Sequence, residues 1–353
     1  MIRGRVRITD LANELGVSAS TVSRALSNEG RIGEETRKAV LKLAREWGYK
    51  PNPFAVNLLK KRSKSIGLIL PEFTHHYFSR ILSGVNMVMN EHGYHLFINT
   101  HDGSFEKEVK AVNVLNSMRV DGIIASYTKE TSTFDHFLEV LEDNIPVVFV
   151  DRMCEELDTS YVVTDDFPQS VEAIHHMVRT GSQRITYVTG PENLSTSFTR
   201  LTGYKEGLKQ CGIPLNDRFI LNSDDAGWKK KLETLIISNE TDGLLAFNDY
   251  IAFEAIELFK KHGKDIPGEV AVIGFADEPI ACHMSPKLST IMQPAELMGR
   301  RAAEILLWHI QNPSSDEIKC ESLETSLVLR ETTRKVSTNR TAKSKMRVLK
   351  SAS

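Results

Sequence analysis

The chain has 353 residues and a formal net charge of -2, from 44 Lys and Arg against 46 Asp and Glu, and 41% of its residues are hydrophobic. This composition belongs to a soluble globular protein of two or three domains and excludes a mostly disordered or collagen-like chain. The charge is unevenly spread. Residues 1–64 hold 14 basic and 6 acidic side chains (net +8), residues 65–330 hold 23 and 39 (net -16), and residues 331–353 hold 7 and 1 (net +6). A small basic head on a large acidic body points to a polyanionic partner for the head, a solvated basic face being the alternative.

In chain order, the head reads as three short helices. Leu11, Ala12 and Leu15 share one helical face, and Gly16 interrupts it. Ser18 is placed to cap a second helix that turns Val22, Ala25 and Leu26 inward. A third helix is predicted from Glu34 to Trp47, with Val40, Leu43, Ala44 and Trp47 spaced for burial and Gly48 as its stop. Pro51 and Pro53 prevent it from continuing. A short helical stretch, Phe54 to Lys60, then leads into the charged linker Lys60–Lys64. The domains expected are therefore a helix-turn-helix head over 1–50, a short helix and linker over 51–64, a two-lobed core over 65–330, and a flexible basic tail over 331–353.

The body has another rhythm. Short apolar runs at Ile66–Leu70, His95–Asn99, Gly122–Ala125, Pro146–Val150, Ile185–Thr189, Gly243–Phe247 and Val270–Gly274 predict parallel strands buried on both faces. Helical patterns lie between them at Phe78–His92, Phe105–Ser117, Asp166–Arg179, Phe198–Cys211 and Asp249–His262. The alternation predicts βαβ units in two lobes, one before and one after about residue 160. A ligand site is expected in the crevice at the carboxyl ends of the strands.

Ile8 to Leu26 has the layout of a helix-turn-helix: a small Ala12 at the helix contact, Gly16 at the turn, and Val22 and Leu26 holding the second helix. That helix presents Ser18, Ala19, Ser20, Thr21, Ser23 and Arg24 outward. Hydroxyls suit phosphates and Arg suits guanine. A generic three-helix bundle would need neither that polar helix nor the charge excess. Catalytic signatures are missing: no Gly-x-Gly-x-x-Gly, phosphate loop, Gly-x-Ser-x-Gly or His-Glu-x-x-His occurs, so no enzyme is expected. Cys154, Cys211, Cys282 and Cys320 are scattered, which excludes a disulfide framework and a thiolate zinc site and fits a reducing cytoplasm. His75-His76 and His175-His176 are helix neighbours about 100° apart, a poor geometry for chelation, so neither metal nor cofactor is expected. No run reaches the ~20 apolar residues of a membrane helix, and Met1–Arg7 has no apolar secretory core.

Val17-Ser18-Ala19-Ser20-Thr21-Val22-Ser23-Arg24, Glu34-Glu35-Thr36-Arg37 and Gly48-Tyr49-Lys50-Pro51-Asn52 together resemble the lactose/galactose repressor (LacI/GalR) family. The resemblance continues through Ser65–Pro71, Asp121–Ile124, Pro146–Arg152, Ile273-Gly274-Phe275 and Leu288–Pro294, and it spans residues 5 to about 332. It implies a cytoplasmic homodimer that binds a pseudo-palindromic operator and senses a sugar or related metabolite in a periplasmic-binding-protein-like core. It assigns base reading to Ala19, Ser20 and Arg24, and phosphate contact or support to Ser18, Thr21 and Ser23. It makes 51–64 the family's hinge helix and linker. Ala55 and Leu58 fall on that hinge helix, Leu58 where a leucine wedge enters the minor groove; a buried hinge leucine is the alternative.

For the pocket, the resemblance implies His75 and Phe78 after the first strand, Asp151 and Arg152 after the fourth, Arg200 opening an Arg-x-x-Gly pattern, Asn248 beside Asp249, Asp277, and Gln293. An internal ion pair is the other role open to Arg200, and a helix cap the other open to Asp151. Of Phe73, Tyr77 and Phe78, one is expected to reach the ligand and the others to pack. Four positions depart from the family: Ser27 for Asn, Gly33 for a capping Ser, Ala276 for a strand-end acid, and Asn222 for a stacking aromatic. Two rival readings are a transport-type binding protein, opposed by the basic head, and a carbohydrate enzyme, opposed by the lack of a placed acid/base pair.

Overall fold

In the computed structural model, residues 6–27, 32–49 and 62–335 are described. The chain divides into two compact units, residues 1–63 and 64–353. In the first, α1 (Ile8–Leu15), α2 (Ala19–Ser27) and α3 (Glu34–Glu46) close on Leu11, Ala12, Val22, Ala25, Val40 and Ala44. Gly16 ends α1 in the left-handed region at φ 63°, which glycine adopts without the usual Cβ penalty, and turns the chain into α2. Trp47, expected inside, is 39% exposed: α3 stops at Glu46, and the inner positions one and two turns back are already filled by Ala44 and Val40.

The second unit holds two six-stranded sheets. The first lobe runs β1 (Ser65–Leu70), α4 (His76–Glu91), β2 (His95–Thr100), α5 (Phe105–Ser117), β3 (Gly122–Ala125), α6 (Asp135–Glu142), β4 (Val147–Val150) and β5 (Ser160–Asp165). The second runs α7 (Asp166–Arg179), β6 (Ile185–Thr189), α8 (Ser195–Gln210), β7 (Ile220–Asn222), α9 (Trp228–Ile237), β8 (Gly243–Ala246), α10 (Asp249–Lys261), β9 (Ala271–Ala276) and β10 (Ser289–Met292). The chain then returns to the first lobe as α11 (Ala295–Gln311) and β11 (Cys320–Glu324), and crosses once more into the second as β12 (Ser326–Val328). The first sheet has the order β2-β1-β3-β4-β5-β11 and is parallel throughout. The second has the order β7-β6-β8-β9-β10-β12, with only β12 antiparallel.

The expectation that one lobe lies before and one after residue 160 therefore needs correcting. Met298, Ala302, Leu306 and Ile310 of α11 pack with Ile66, Leu68, Ile81 and Val85 in the core of the first lobe. The lobes are joined by three crossings, at Asp165/Asp166, Met292–Ala295 and Glu324–Ser326. The tail needs correcting as well, because Glu331 to Arg334 is docked. Thr332, fully buried, accepts a hydrogen bond from the Ser289 N–H at 2.8 Å and donates one to the Val272 carbonyl at 2.7 Å. Arg334 donates from Nε to the Pro267 carbonyl and from Nη1 to the Thr180 carbonyl. The start of a segment expected to be flexible is held by backbone groups that would otherwise lack partners.

Candidate DNA-reading helix and effector cleft

In the head, the sequence-predicted contact residues gather on one helix. Ser18 precedes α2 and caps it: its Oγ accepts from the Thr21 N–H at 3.1 Å and lies 2.8 Å from both Ser20 Oγ and Thr21 Oγ1. Ser18, Ser20 and Arg24 are exposed, while Ala19, Thr21 and Ser23 are half-buried beside them. Buried Val22 and Ala25 fix the opposite face. The helix thus offers hydroxyls at its start and a guanidinium in its last turn, away from the core. Ala55 and Leu58 lie outside the described residues.

In the body, a cavity of about 430 Å³ is lined by segments that follow the strands' carboxyl ends. From the first lobe come Pro71 and Glu72 after β1, His101–Gly103 after β2, Thr128 and Lys129 after β3, and Asp151 and Arg152 after β4. From the second come Pro191 after β6, Ser223 after β7, Phe247–Ile251 after β8, and Phe275, Ala276 and Glu278 at the end of β9. His75, Phe78, Asp151, Arg152, Arg200, Asn248 and Gln293 all border this space. Asp277 does not. Its carboxylate lies 2.6 Å from Nη2 of Arg330, and Glu278 borders the cavity in its stead. Of the three aromatics, Tyr77 and Phe78 line the space and Phe73 is 43% exposed elsewhere.

The cleft's Arg and Lys side chains each have a carboxylate beside them. Arg200, 4% exposed, donates from Nε to Asp166 Oδ2 at 2.7 Å and from Nη1 to the Phe247 carbonyl at 2.6 Å. Its guanidinium lies 3.8 Å from the ring centroid of Phe275 and 4.7 Å from that of Phe247. Burial pushes the Asp166 carboxyl above the ordinary carboxylate range, and the guanidinium opposes that push. Gly203 makes the pair possible: a Cβ there would sit 2.6 Å from Ser170 Cβ and 2.8 Å from the Phe167 carbonyl, so only glycine lets α8 approach α7 this closely.

Across the cleft, Asp151 sits at φ 71° and accepts from the Tyr77 hydroxyl at 2.7 Å, and Arg152 Nε is 3.4 Å from its other oxygen. Burial, then the charge of Asp151, raises the Tyr77 phenol well above 10, so it remains a donor. His101, buried, accepts from the Gly103 N–H at Nδ1 and donates from Nε2 to the Ser126 carbonyl at 3.0 Å. With both nitrogens used and its pKa lowered by burial, it is a neutral prop for the cavity floor. Asn248 accepts from the Ile251 N–H and caps α10, and Gln293 donates to Thr164 Oγ1 at 3.0 Å where the lobes cross. Among the described residues no group of three His, Cys, Asp or Glu is placed to hold a metal ion.

Comparison with known proteins decides what this arrangement is. The profile of bacterial regulatory proteins of the lacI family matches residues 7–52, and that of the periplasmic binding protein-like domain matches residues 174–333. Over 330 residues the chain is 33% identical to the ribose operon repressor of Bacillus subtilis, covering 93% of this chain and 98% of that one. The chain belongs to the LacI family. It is a DNA-binding transcriptional regulator with a ligand-responsive core. A LacI-type regulator from Alkaliphilus metalliredigens, solved with D-xylulofuranose, superposes with a TM-score of 0.67 at 29% identity over 77% of this chain and all of that one. The lac repressor dimer bound to operator and an anti-inducer superposes with a TM-score of 0.79 over 94% of this chain and all of that one. At 23% identity, that likeness speaks for the fold alone.

Several cleft residues of this LacI-family regulator escape sequence reasoning. His101, Lys129 and Ser223 follow strands, so the rule that ligands sit at carboxyl ends of strands could have found them. Asp166, Tyr250 and Glu278 carry no local signal: a helix-start acid, a helix tyrosine and a loop glutamate read alike anywhere in the chain.

Proposed function

We propose that this regulator senses a neutral sugar or polyol in the cleft between its lobes and that the bound sugar alters its grip on a pseudo-palindromic operator. The observation that carries the reading is the pairing of the cleft's cations: Arg200 with Asp166, Arg152 with Asp151, and Lys129 with Asp224 at 2.7 Å. Glu72, Asp249 and Glu278 border the same space. An anionic ligand would meet carboxylates without a spare cation and lose hydration it could not replace. A neutral sugar instead finds fixed donors and acceptors for its hydroxyls and the rings of Phe78, Phe247 and Phe275 for its C–H faces. The D-xylulofuranose in the Alkaliphilus relative and the ribose operon named for the Bacillus relative favour the same class.

On the DNA side, Ala19, Ser20 and Arg24 read base edges, and Ser18, Thr21 and Ser23 hold or support phosphates. Residues 51–64 link head and core, with Ala55 and Leu58 in the minor groove. The regulator acts as a cytoplasmic homodimer, each head on one half-site, and carries out no catalysis. Among the described residues no helix is long and apolar enough to cross a membrane.

A thermal-shift screen of the full chain against neutral sugars, sugar acids and sugar phosphates tests the effector class. A rise in melting temperature with a neutral sugar is expected, and stabilisation by acids or phosphates alone would sink the reading. For the head, Arg24→Ala should cost roughly 1–3 kcal/mol of operator affinity and relax sequence selectivity. Footprints of unchanged selectivity would remove Arg24 from the reading set.

A further inference from the structure

The start of α4 lacks a cap of its own. His75 occupies the capping position without a side-chain hydrogen bond to the helix. The first N–H groups of a helix need acceptors, and near burial they cannot rely on water. Here the acceptor comes from the opposite lobe. Glu278, 5% exposed, accepts from the His76 N–H at Oε2 and from the Tyr77 N–H at Oε1, each at 3.1 Å.

Glu278 is held to that task by its own lobe. Its backbone N–H donates to Asp249 Oδ2 at 2.7 Å, and Asp249 takes a second bond from the Thr290 hydroxyl at 2.6 Å. The two residues before it, Ala276 at φ 120° and Asp277 at φ 61°, sit in a region that L side chains rarely adopt. Arg330 fastens Asp277 from behind at 2.6 Å. Tyr250 supports the same seam: its hydroxyl lies 3.4 Å from both Glu278 Oε2 and the Thr74 carbonyl, and its ring stacks on His75 at 4.2 Å. At another point across the cleft, Lys129 and Asp224 bridge the lobes, but both are about 40% exposed, where an ion pair contributes little. The buried carboxylate on two backbone donors at a helix N-terminus is the stronger tie.

We propose that Glu278 is an interlobe latch: by capping α4 from the second lobe it holds the cleft closed, so the response to effector depends on it as a positioning residue. The proposal rests on the two-lobed arrangement and not on which ligand fills the cleft. It is tested on the effector-free full chain by hydrogen exchange, comparing wild type, Glu278→Ala and Glu278→Gln. In Glu278→Ala the amides of residues 76–79 should exchange about tenfold faster, while those in the middle of α11 keep their wild-type rates. Glu278→Gln, which retains one acceptor, should fall between the two. Unchanged protection at residues 76–79 would overturn the latch. So would an equal loss of protection along α4 and α11, which would make Glu278 a general stabiliser. A residue that only touched ligand would leave all these rates alone, so the outcome is independent of the sugar screen.

Discussion

Residues in this protein often serve two ends that a sequence presents as alternatives. Arg200 reads either as a ligand contact or as an internal ion-pair partner; the structure shows the ion pair, with Nε and Nη1 committed to Asp166 and Phe247, on a side chain that also borders the cavity. Asp249 shows the cost of such placement. Burial raises its carboxyl to about 6, against an ordinary 3.8. Between those values the unfolded chain has released the proton and the folded one keeps it. The stability this group contributes is therefore complete below about pH 4 and lost as pH rises to about 6, a swing of about 3 kcal/mol at ~1.4 kcal/mol for each unit. Asp249→Asn should abolish that component. The prediction is checked by urea melts from pH 4 to 7, in which the difference between wild type and variant must change with pH. A constant difference would refute it. The packing leaves no slack, since a Cβ at Gly274 would lie 2.1 Å from Asp249 Oδ1.

At the scale of elements, the helix bounds follow amphipathic period closely where one face is buried. Phe105–Ser117 and Asp166–Arg179 are predicted and found with the same ends. The strands missed are β5, β7, β10, β11 and β12. β11 is polar (Cys320–Glu324), β7 and β12 have three residues each, and β5 and β10 mix Ser and Thr into their apolar runs, so none has the plain apolar run of the others, and each forms because a neighbouring strand offers a ladder. Helix pairs are set by glycines that composition alone cannot rank. A Cβ at Gly84 of α4 would stand 2.0 Å from the Glu296 carbonyl, and one at Gly299 of α11 would stand 2.1 Å from the Ile81 carbonyl. The two backbones therefore touch where the helices cross. Gly84→Ala should push them apart and cost at least about 1–3 kcal/mol; a melting temperature equal to that of wild type would show that the crossing can relax.

At the scale of the molecule, chain order misleads. The stretch 65–165 looks like a complete lobe, yet its core is finished by Met298, Ala302, Leu306 and Ile310 from α11, and its sheet by β11. A fragment of residues 65–165 should therefore be disordered or molten by circular dichroism and NMR dispersion, and adding residues 295–324 through a linker should restore a cooperative melt. Cooperative unfolding of 65–165 alone would show that the lobe's core does not need α11. The three crossings have a functional consequence, because lobes joined by three strands can change their angle but cannot separate. On the function proposed for it, a ligand bound between the lobes acts on a hinge.

The sequence by itself determined the basic head with its helix-turn-helix, the alternation of strand and helix, and a few of the polar residues at the strand ends, namely Asp151, Arg152 and Asn248. These depend on local period, on capping, and on residue types that short motifs preserve. Tertiary structure decided the rest: that α11 and β11 belong to the first lobe, that Thr332 and Arg334 are docked, that Asp277 turns away toward Arg330, and that Glu278 reaches α4. Each depends on which distant backbone groups are left without a partner once the sheets have formed, and no window of neighbouring residues contains that information.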